Sequence, residues 1–338
     1  MAVLSSAIVS TSFPHLPEAE HPHELPNEPC ILYAWKLTGM LRSDDSMAGV
    51  VSSGTATESE HASVLTRLAR RRPLSVFFCL AYLIFWAGTA PLVLSRTGLG
   101  LIPIDVPMTV FFPLFFAPTG AALLTQWFAE RDFRIFRLYG SWKRMLLGAS
   151  VGSALFILAI AVIPAVMRVE GPLRTLHWSE FISFGSLSWF TFLGGPLGEE
   201  AGWRGYALPR LQAIFGPVRA SLVLGILWAL WHLPLFLIPG FMSAPIPVFA
   251  VCLICSTPIM TFGANLSRFS IAAAVLMHFA LNSTGGLYGG LIAGAEMRKS
   301  IPQEVVMPLS ILATAAIIVT LTRGRLAARS DPSPVHLF

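Results

Sequence analysis

Six polar side chains stand out against long apolar surroundings: Glu199, Glu200, Arg204, His232, His278 and Asn282. Together they could carry out proton-transfer chemistry. A carboxylate can take a proton from water, and an imidazole can polarise a carbonyl or bind a metal. An amide or guanidinium N–H can hold a developing oxyanion. Their spacing sorts them into pairs. Glu200 and Arg204 stand at i,i+4, so one helix face can hold them as an ion pair, with Glu199 turned about 100° away and free for another task. His278 and Asn282 have the same spacing and share a face. So do Trp228 and His232, which places an indole beside an imidazole.

The elements that must position these groups are membrane helices. Of 338 residues, 54% are hydrophobic and only 12% charged, and the mean hydropathy is +0.68. A soluble domain carries about 25% charged residues. This composition excludes a soluble globular enzyme, a disordered protein and a nucleic-acid-binding module. Crossing the hydrocarbon takes about 20 apolar residues in a helix. Eight uncharged stretches are long enough once their flanks are added: Leu74–Leu94, Pro107–Phe128, Met145–Met167, Phe181–Leu197, Ala220–Ile238, Ile246–Leu266, Phe269–Ala293 and Val305–Leu321. The expected fold is all-α and polytopic, with eight transmembrane helices. No repeat of 20–50 residues is visible.

Lys and Arg placement supports that number. If eight spans alternate, sixteen bases fall on the side of the termini, among them Arg67, Arg70, Arg71, Arg72, Arg131, Lys143, Arg210, Arg268 and Arg323. The other side receives five: Arg96, Arg168, Arg174, Arg298 and Lys299. By the positive-inside rule both termini are cytoplasmic, and Arg70–Arg72 act as a topology determinant. The expected location is integral and multi-pass, in the plasma (cell) membrane. The expected partners are the lipid bilayer and a membrane-associated peptide or protein, with no nucleic acid.

Residues 1–66 differ from the rest, with eight acids, two bases and many Pro and Ser. Such a segment buries too little apolar surface to offset its ordering entropy, so it reads as a disordered tail. It lacks the basic start and apolar run of a secretory signal, and Met40 and Met47 are alternative starts. The membrane domain is read as residues 67–326, with its reactive core near 180–285 and a short tail over 327–338. Four scattered cysteines make no disulfide framework. Cys252 and Cys255 lie in an apolar span and read as packing residues. Trp127, Trp178 and Trp203, near span ends, read as interface anchors.

An ionisable group at membrane depth costs about 2.5–3.5 kcal/mol on insertion scales and marks function by default. Of 18 acids only Glu199 and Glu200 touch a span, and of eight histidines only His232 and His278. At 1.5 Å per residue, His278 lies about 13 Å and His232 about 18 Å into their spans. Glu199 reaches a similar depth if the fourth helix continues to about Leu208, before Pro209. Gly194, Gly198 and Gly202 form a small-residue ridge that lets a neighbouring helix approach. Gly285–Gly286 and Gly289–Gly290 read as further close-packing positions. The fourth, fifth and seventh spans are therefore expected to converge on one polar cavity.

These residues resemble the CPBP (Abi) family of intramembrane proteases, which includes the eukaryotic CAAX-processing endopeptidase. Glu199-Glu200-Ala-Gly-Trp-Arg204 fits its EExxxR motif. Trp228-Ala-Leu-Trp-His232 occupies the place of FxxxH with Trp for Phe, and His278-Phe-Ala-Leu-Asn282 fits HxxxN. The resemblance covers about residues 180–285. It implies an endopeptidase acting on membrane-associated substrates, CAAX-type or otherwise lipid-modified. In that reading Glu199 activates water and Glu200 with Arg204 braces the helix. His232 and His278 act on the carbonyl, and Asn282 donates to the oxyanion, with Trp228 in support. Two versions stand side by side: zinc held by Glu199, His232 and His278, a set that suits zinc although the HExxH spacing is absent, and a metal-free glutamate mechanism. The alternatives to a protease are a non-catalytic immunity or partner-stabilising protein of the same fold and, last, a proton-relay transporter.

Overall fold

The computed structural model describes residues 63–133, 141–170, 191–242, 244–292, 296–297 and 303–328. Residues 1–62 of the acidic tail, Trp178, the first part of the fourth apolar stretch and the chain beyond 328 lie outside them.

Among the described residues the regular elements are helices, apart from one two-residue antiparallel pair, Val169–Glu170 (β1) with Glu296–Met297 (β2). The first helix, α1, spans Val64–Arg71. It begins inside the stretch read as tail because Ser63 caps it, its hydroxyl accepting from the Thr66 N–H. Pro73 starts α2, Pro73–Leu94, at a position where a missing N–H costs nothing. The second apolar stretch is not one α-helix. It is a 3-10 segment, Met108–Phe116, followed by α3, Ala117–Glu130, with Pro113 and Pro118 near the junction. Next come α4, Trp142–Phe156, a π-helical turn, Ile157–Val162, and α5, Ile163–Arg168. The last three long helices are α8, Ile246–Leu266, α9, Ile271–Ile292, and α10, Gln303–Leu321.

Between α5 and α8 lies the part that holds the site. It starts with α6, Pro196–Glu200, widens into a π turn, Ala201–Ala207, and runs on as α7, Leu208–Trp231. The helix therefore passes through Pro209. The wide turn before Pro209 frees the carbonyls that a proline ring would meet in a regular helix. Gly216, at φ 72°, breaks the run in front of Pro217, and this break divides the segment into two rods. The glutamate-bearing helix thus extends to the Gly216 break, well beyond the stretch read as Phe181–Leu197. Among the described residues, four helical stretches are long and apolar enough to cross a membrane: Pro73–Leu94, Trp142–Met167, Thr191–Leu237 and Ile246–Leu266. Ile271–Gly285 and Val305–Leu321 are shorter apolar helices. The fold is an all-α polytopic membrane fold.

Packing fixes the orientation of α6. α7 lies along α8, α2 along α3, and α9 against α4 and α6. The glycine ridge is the contact of α6 and the π turn with the junction before α3. A Cβ on Gly198 would stand 2.7 Å from the Phe115 carbonyl oxygen, and one on Gly202 would stand 2.5 Å from that of Pro118. Thr119 Oγ1 donates to the Gly198 carbonyl at 2.6 Å. With that face pressed on backbone, the glutamates face α7 and α9.

Candidate active site

Glu199 and Glu200 are both buried, at 1% and 0% exposure, yet they sit in different surroundings. Glu200 Oε1 accepts from Arg204 Nη1 at 2.8 Å and lies 2.7 Å from His278 Nδ1. The expected i,i+4 ion pair is present, and it reaches across to α9. The guanidinium lies 4.1 Å over the Trp228 ring, with Nη2 against Met260 Sδ at 2.9 Å. Among the described residues, Glu200 Oε2 and Arg204 Nε have no hydrogen-bond partner.

Among the described residues, the hydrogen-bond partners of Glu199 are uncharged. Its Oε2 accepts from the indole N–H of Trp203 at 3.1 Å and from that of Trp228 at 2.6 Å. Its Oε1 borders a small space over Gly195. A Cβ built on Gly195 would lie 3.2 Å from Glu199 Oε1, 3.6 Å from Asn282 Nδ2 and 3.8 Å from His278 Cε1. A carboxylate, a carboxamide and an imidazole from α6 and α9 thus surround one point, and the residue beneath it has no side chain. His278 is buried, while Asn282 is exposed and opens the space on its side.

The two imidazoles are oriented alike. His232, at the end of α7, has Nδ1 2.8 Å from the Trp228 carbonyl oxygen, and a carbonyl only accepts, so Nδ1 carries the proton and Nε2 is the acceptor. His278 has Nδ1 2.7 Å from Glu200 Oε1, and its Cε1 is the ring atom that lies toward the Gly195 point. Trp228 stands edge-on to His278, with ring centroids 5.0 Å apart and planes at 88°. It lies 6.0 Å from His232. Two imidazoles with Nδ1 engaged suit metal ligation in principle. Yet among the described residues no three His, Cys, Asp or Glu side chains gather as a ligand set. Glu199 Oε2 and Glu200 Oε1 are already taken by other donors. Among the described residues Glu199, His232 and His278 are not gathered as a zinc set, and the reaction is derived from the side chains alone.

Sequence spacing places Glu200 with Arg204, His278 near Asn282, and Trp228 beside His232, as found. Three relations were not expected. Trp203 is no interface anchor: it is fully buried and bonded to Glu199. The same i,i+4 rule that pairs Glu200 with Arg204 would have found it. The link from His278 to Glu200 joins residues 78 positions apart, and no local pattern carries it. Gly195 had no signal beyond being small. Of the other tryptophans read as anchors, Trp127 is half-buried, stacked on Phe133 at 5.0 Å with Arg131 over its ring, consistent with a place at a helix end.

Comparisons with known proteins fall on the segment that holds these residues. Residues 181–284 match the family model described as "Type II CAAX prenyl endopeptidase Rce1-like". The chain is also similar to the CAAX prenyl protease 2 of Methanococcus maripaludis, 34% identical over 92 residues, which are 25% of this chain and 34% of that protein. The chain thus spans about a third of the length of that relative. The matched segment holds all the polar groups gathered around Gly195, and it is this segment that is similar to the CAAX prenyl endopeptidases.

Proposed function

We propose that this protein is a membrane-embedded endopeptidase that hydrolyses a peptide bond of a membrane-associated, prenylated CAAX-type substrate, using Glu199 to activate water. The observation that carries this reading is the convergence of Glu199 Oε1, Asn282 Nδ2 and the His278 ring around the space over Gly195. The substrate class is taken from the similar protein, a CAAX prenyl protease.

Water in that space gives its proton to Glu199 Oε1 as its oxygen attacks the scissile carbonyl. His232 Nε2, an acceptor, takes the second water hydrogen bond and sets the direction of attack. The carbonyl oxygen becomes an oxyanion beside Asn282 Nδ2–H, with the His278 ring flanking it. Collapse of the tetrahedral adduct breaks the C–N bond, and Glu199 returns its proton to the leaving amine. Glu200 touches no reacting atom. It holds the His278 ring through Nδ1 and balances Arg204, so it is a positioning residue.

The test is cleavage of a farnesylated CAAX-type peptide by purified protein in proteoliposomes. Glu199→Gln is expected to abolish cleavage while the melting temperature holds. Full retained activity in Glu199→Gln would end the proposal, and wild-type protein that spares the peptide would overturn the substrate class. A chelator such as 1,10-phenanthroline is expected to leave the rate unchanged; loss restored by added zinc would return the metal version.

A further inference from the structure

We infer that Trp203 and Trp228 are positioning residues for Glu199: two uncharged N–H donors pin one carboxylate oxygen and so aim the other into the space over Gly195. The inference rests on Glu199 being the base.

Both indoles donate to the same oxygen, Oε2, and they come from different elements, the π turn and α7. A carboxylate bonded from two directions cannot turn about its last torsion without losing both bonds, so Oε1 has one place to go. The donors themselves cannot move. Both rings are fully buried. Trp203 stands edge-on to Phe77, at 5.6 Å and 89°, and to Trp231, at 5.8 Å and 81°. Trp228 is held between the Arg204 guanidinium and the His278 ring.

The chemical type of the donor matters. An arginine in the same place would cancel the charge of a group that must accept a proton. Indoles orient it and leave the charge in being. Arg204 is near, and the fold gives it to Glu200 instead. Trp228 also joins the remaining groups, since its carbonyl takes His232 Nδ1. At this position the resembled motif has Phe, which has no N–H to give, so the carboxylate here is held by a bond that the motif does not supply.

Trp228→Phe keeps an aromatic ring and deletes the donor. It is expected to lower kcat roughly tenfold with KM within about twofold, the scale of one hydrogen bond to a charged group. Trp203→Phe, losing the longer bond, is expected to lose less. Ser310→Ala is the control. Ser310 is buried too, and its O–H goes to the Ala159 carbonyl, between α10 and the Ile157–Val162 turn, which carry none of the site residues. Its loss is expected to lower the melting temperature and leave kcat within about twofold; a loss of kcat equal to that of Trp228→Phe would make the effect one of core packing and overturn the inference. Indole N–H resonances of protein labelled with 15N-tryptophan give a readout apart from turnover, which decides even if Trp228→Phe does not fold. Glu199→Gln is expected to move the Trp203 and Trp228 signals and leave that of Trp231. Unmoved signals overturn the inference. If Glu199→Gln is inactive and Trp228→Phe keeps the wild-type kcat, positioning fails and the base stands. If Glu199→Gln stays active, the base itself fails.

Discussion

Glu199 and Glu200 are neighbours in the chain, yet they occupy two unlike regions of one site. On one face Glu200 lies within an ionic network. A guanidinium and an imidazole share its Oε1, and an aromatic ring covers the guanidinium. On the other face Glu199 meets only uncharged donors, both on one oxygen, and its second oxygen borders the space over Gly195. The difference separates two tasks that the paired-carboxylate pattern leaves merged. A group that must gain and lose a proton in turnover needs an accessible oxygen and no fixed counter-charge. A group that must keep three helical elements in register needs the opposite.

The largest effects should fall on the first face, with the second face failing in a different way. Glu199→Gln is isosteric and can still accept from the indoles through its amide oxygen. It is expected to cost roughly a thousandfold or more in kcat, the range for removing a general base, with no change in melting temperature. Asn282→Ala is expected to cost roughly a hundredfold in kcat with KM little changed, as for loss of one oxyanion donor. Glu200→Ala should behave otherwise. It strands Arg204, which is 1% exposed, and breaking a buried pair costs about 3–5 kcal/mol. The expected readout is loss of folded protein in a detergent melt. The double variant Glu200→Met/Arg204→Met removes both charges and is expected to recover most of that stability. It should remain slow in turnover, because His278 has lost its partner. If Glu200→Ala melts like wild type and loses only turnover, the two faces do the same kind of work and the contrast fails.

Much of this was legible in the sequence, for identifiable reasons. Charge is so rare that the acids and histidines inside apolar runs could be picked out singly, and the i,i+4 rule correctly paired Glu200 with Arg204. The all-α membrane fold followed from composition and run length. The boundary of the fourth span did not. Apolarity ends near Leu197, but the helix is carried on by packing and by a π turn that makes room for Pro209. Hydropathy cannot register a helix whose polar residues are satisfied inside the bundle. Trp203 was read as an anchor on its position near a span end, and the structure buries it. Its ring fits there because Phe77, Phe78 and Trp231 leave an aromatic slot, a tertiary fact with no local pattern. The contact between His278 and Glu200 is of the same kind.

The smallest effect comes from the surface that both faces share. Gly202 lies on the side of the π turn turned away from the chemistry, against the start of α3, where a Cβ would stand 2.5 Å from the Pro118 carbonyl carbon and oxygen and 2.6 Å from Pro118 Cβ. Backbone cannot step aside as the end of a side chain can, so in Gly202→Ala the π turn itself must shift toward α7 and α9. Overpacking of this kind costs about 1–3 kcal/mol. The shift moves the glutamates together, because both are fixed to the same rod. The ionic face tolerates it better than the other, since the long Arg204 side chain can follow Glu200, whereas Trp203 and Trp228 are locked among buried rings. Gly202→Ala is therefore expected to lower the melting temperature modestly and to lower kcat in the same variant, while the Glu200–Arg204 pair survives. A double-mutant cycle measures this: adding Gly202→Ala should leave the stability coupling between positions 200 and 204 within about 0.5 kcal/mol of its wild-type value. If that coupling collapses while kcat holds, the ionic face is the fragile one and the division of labour runs the other way.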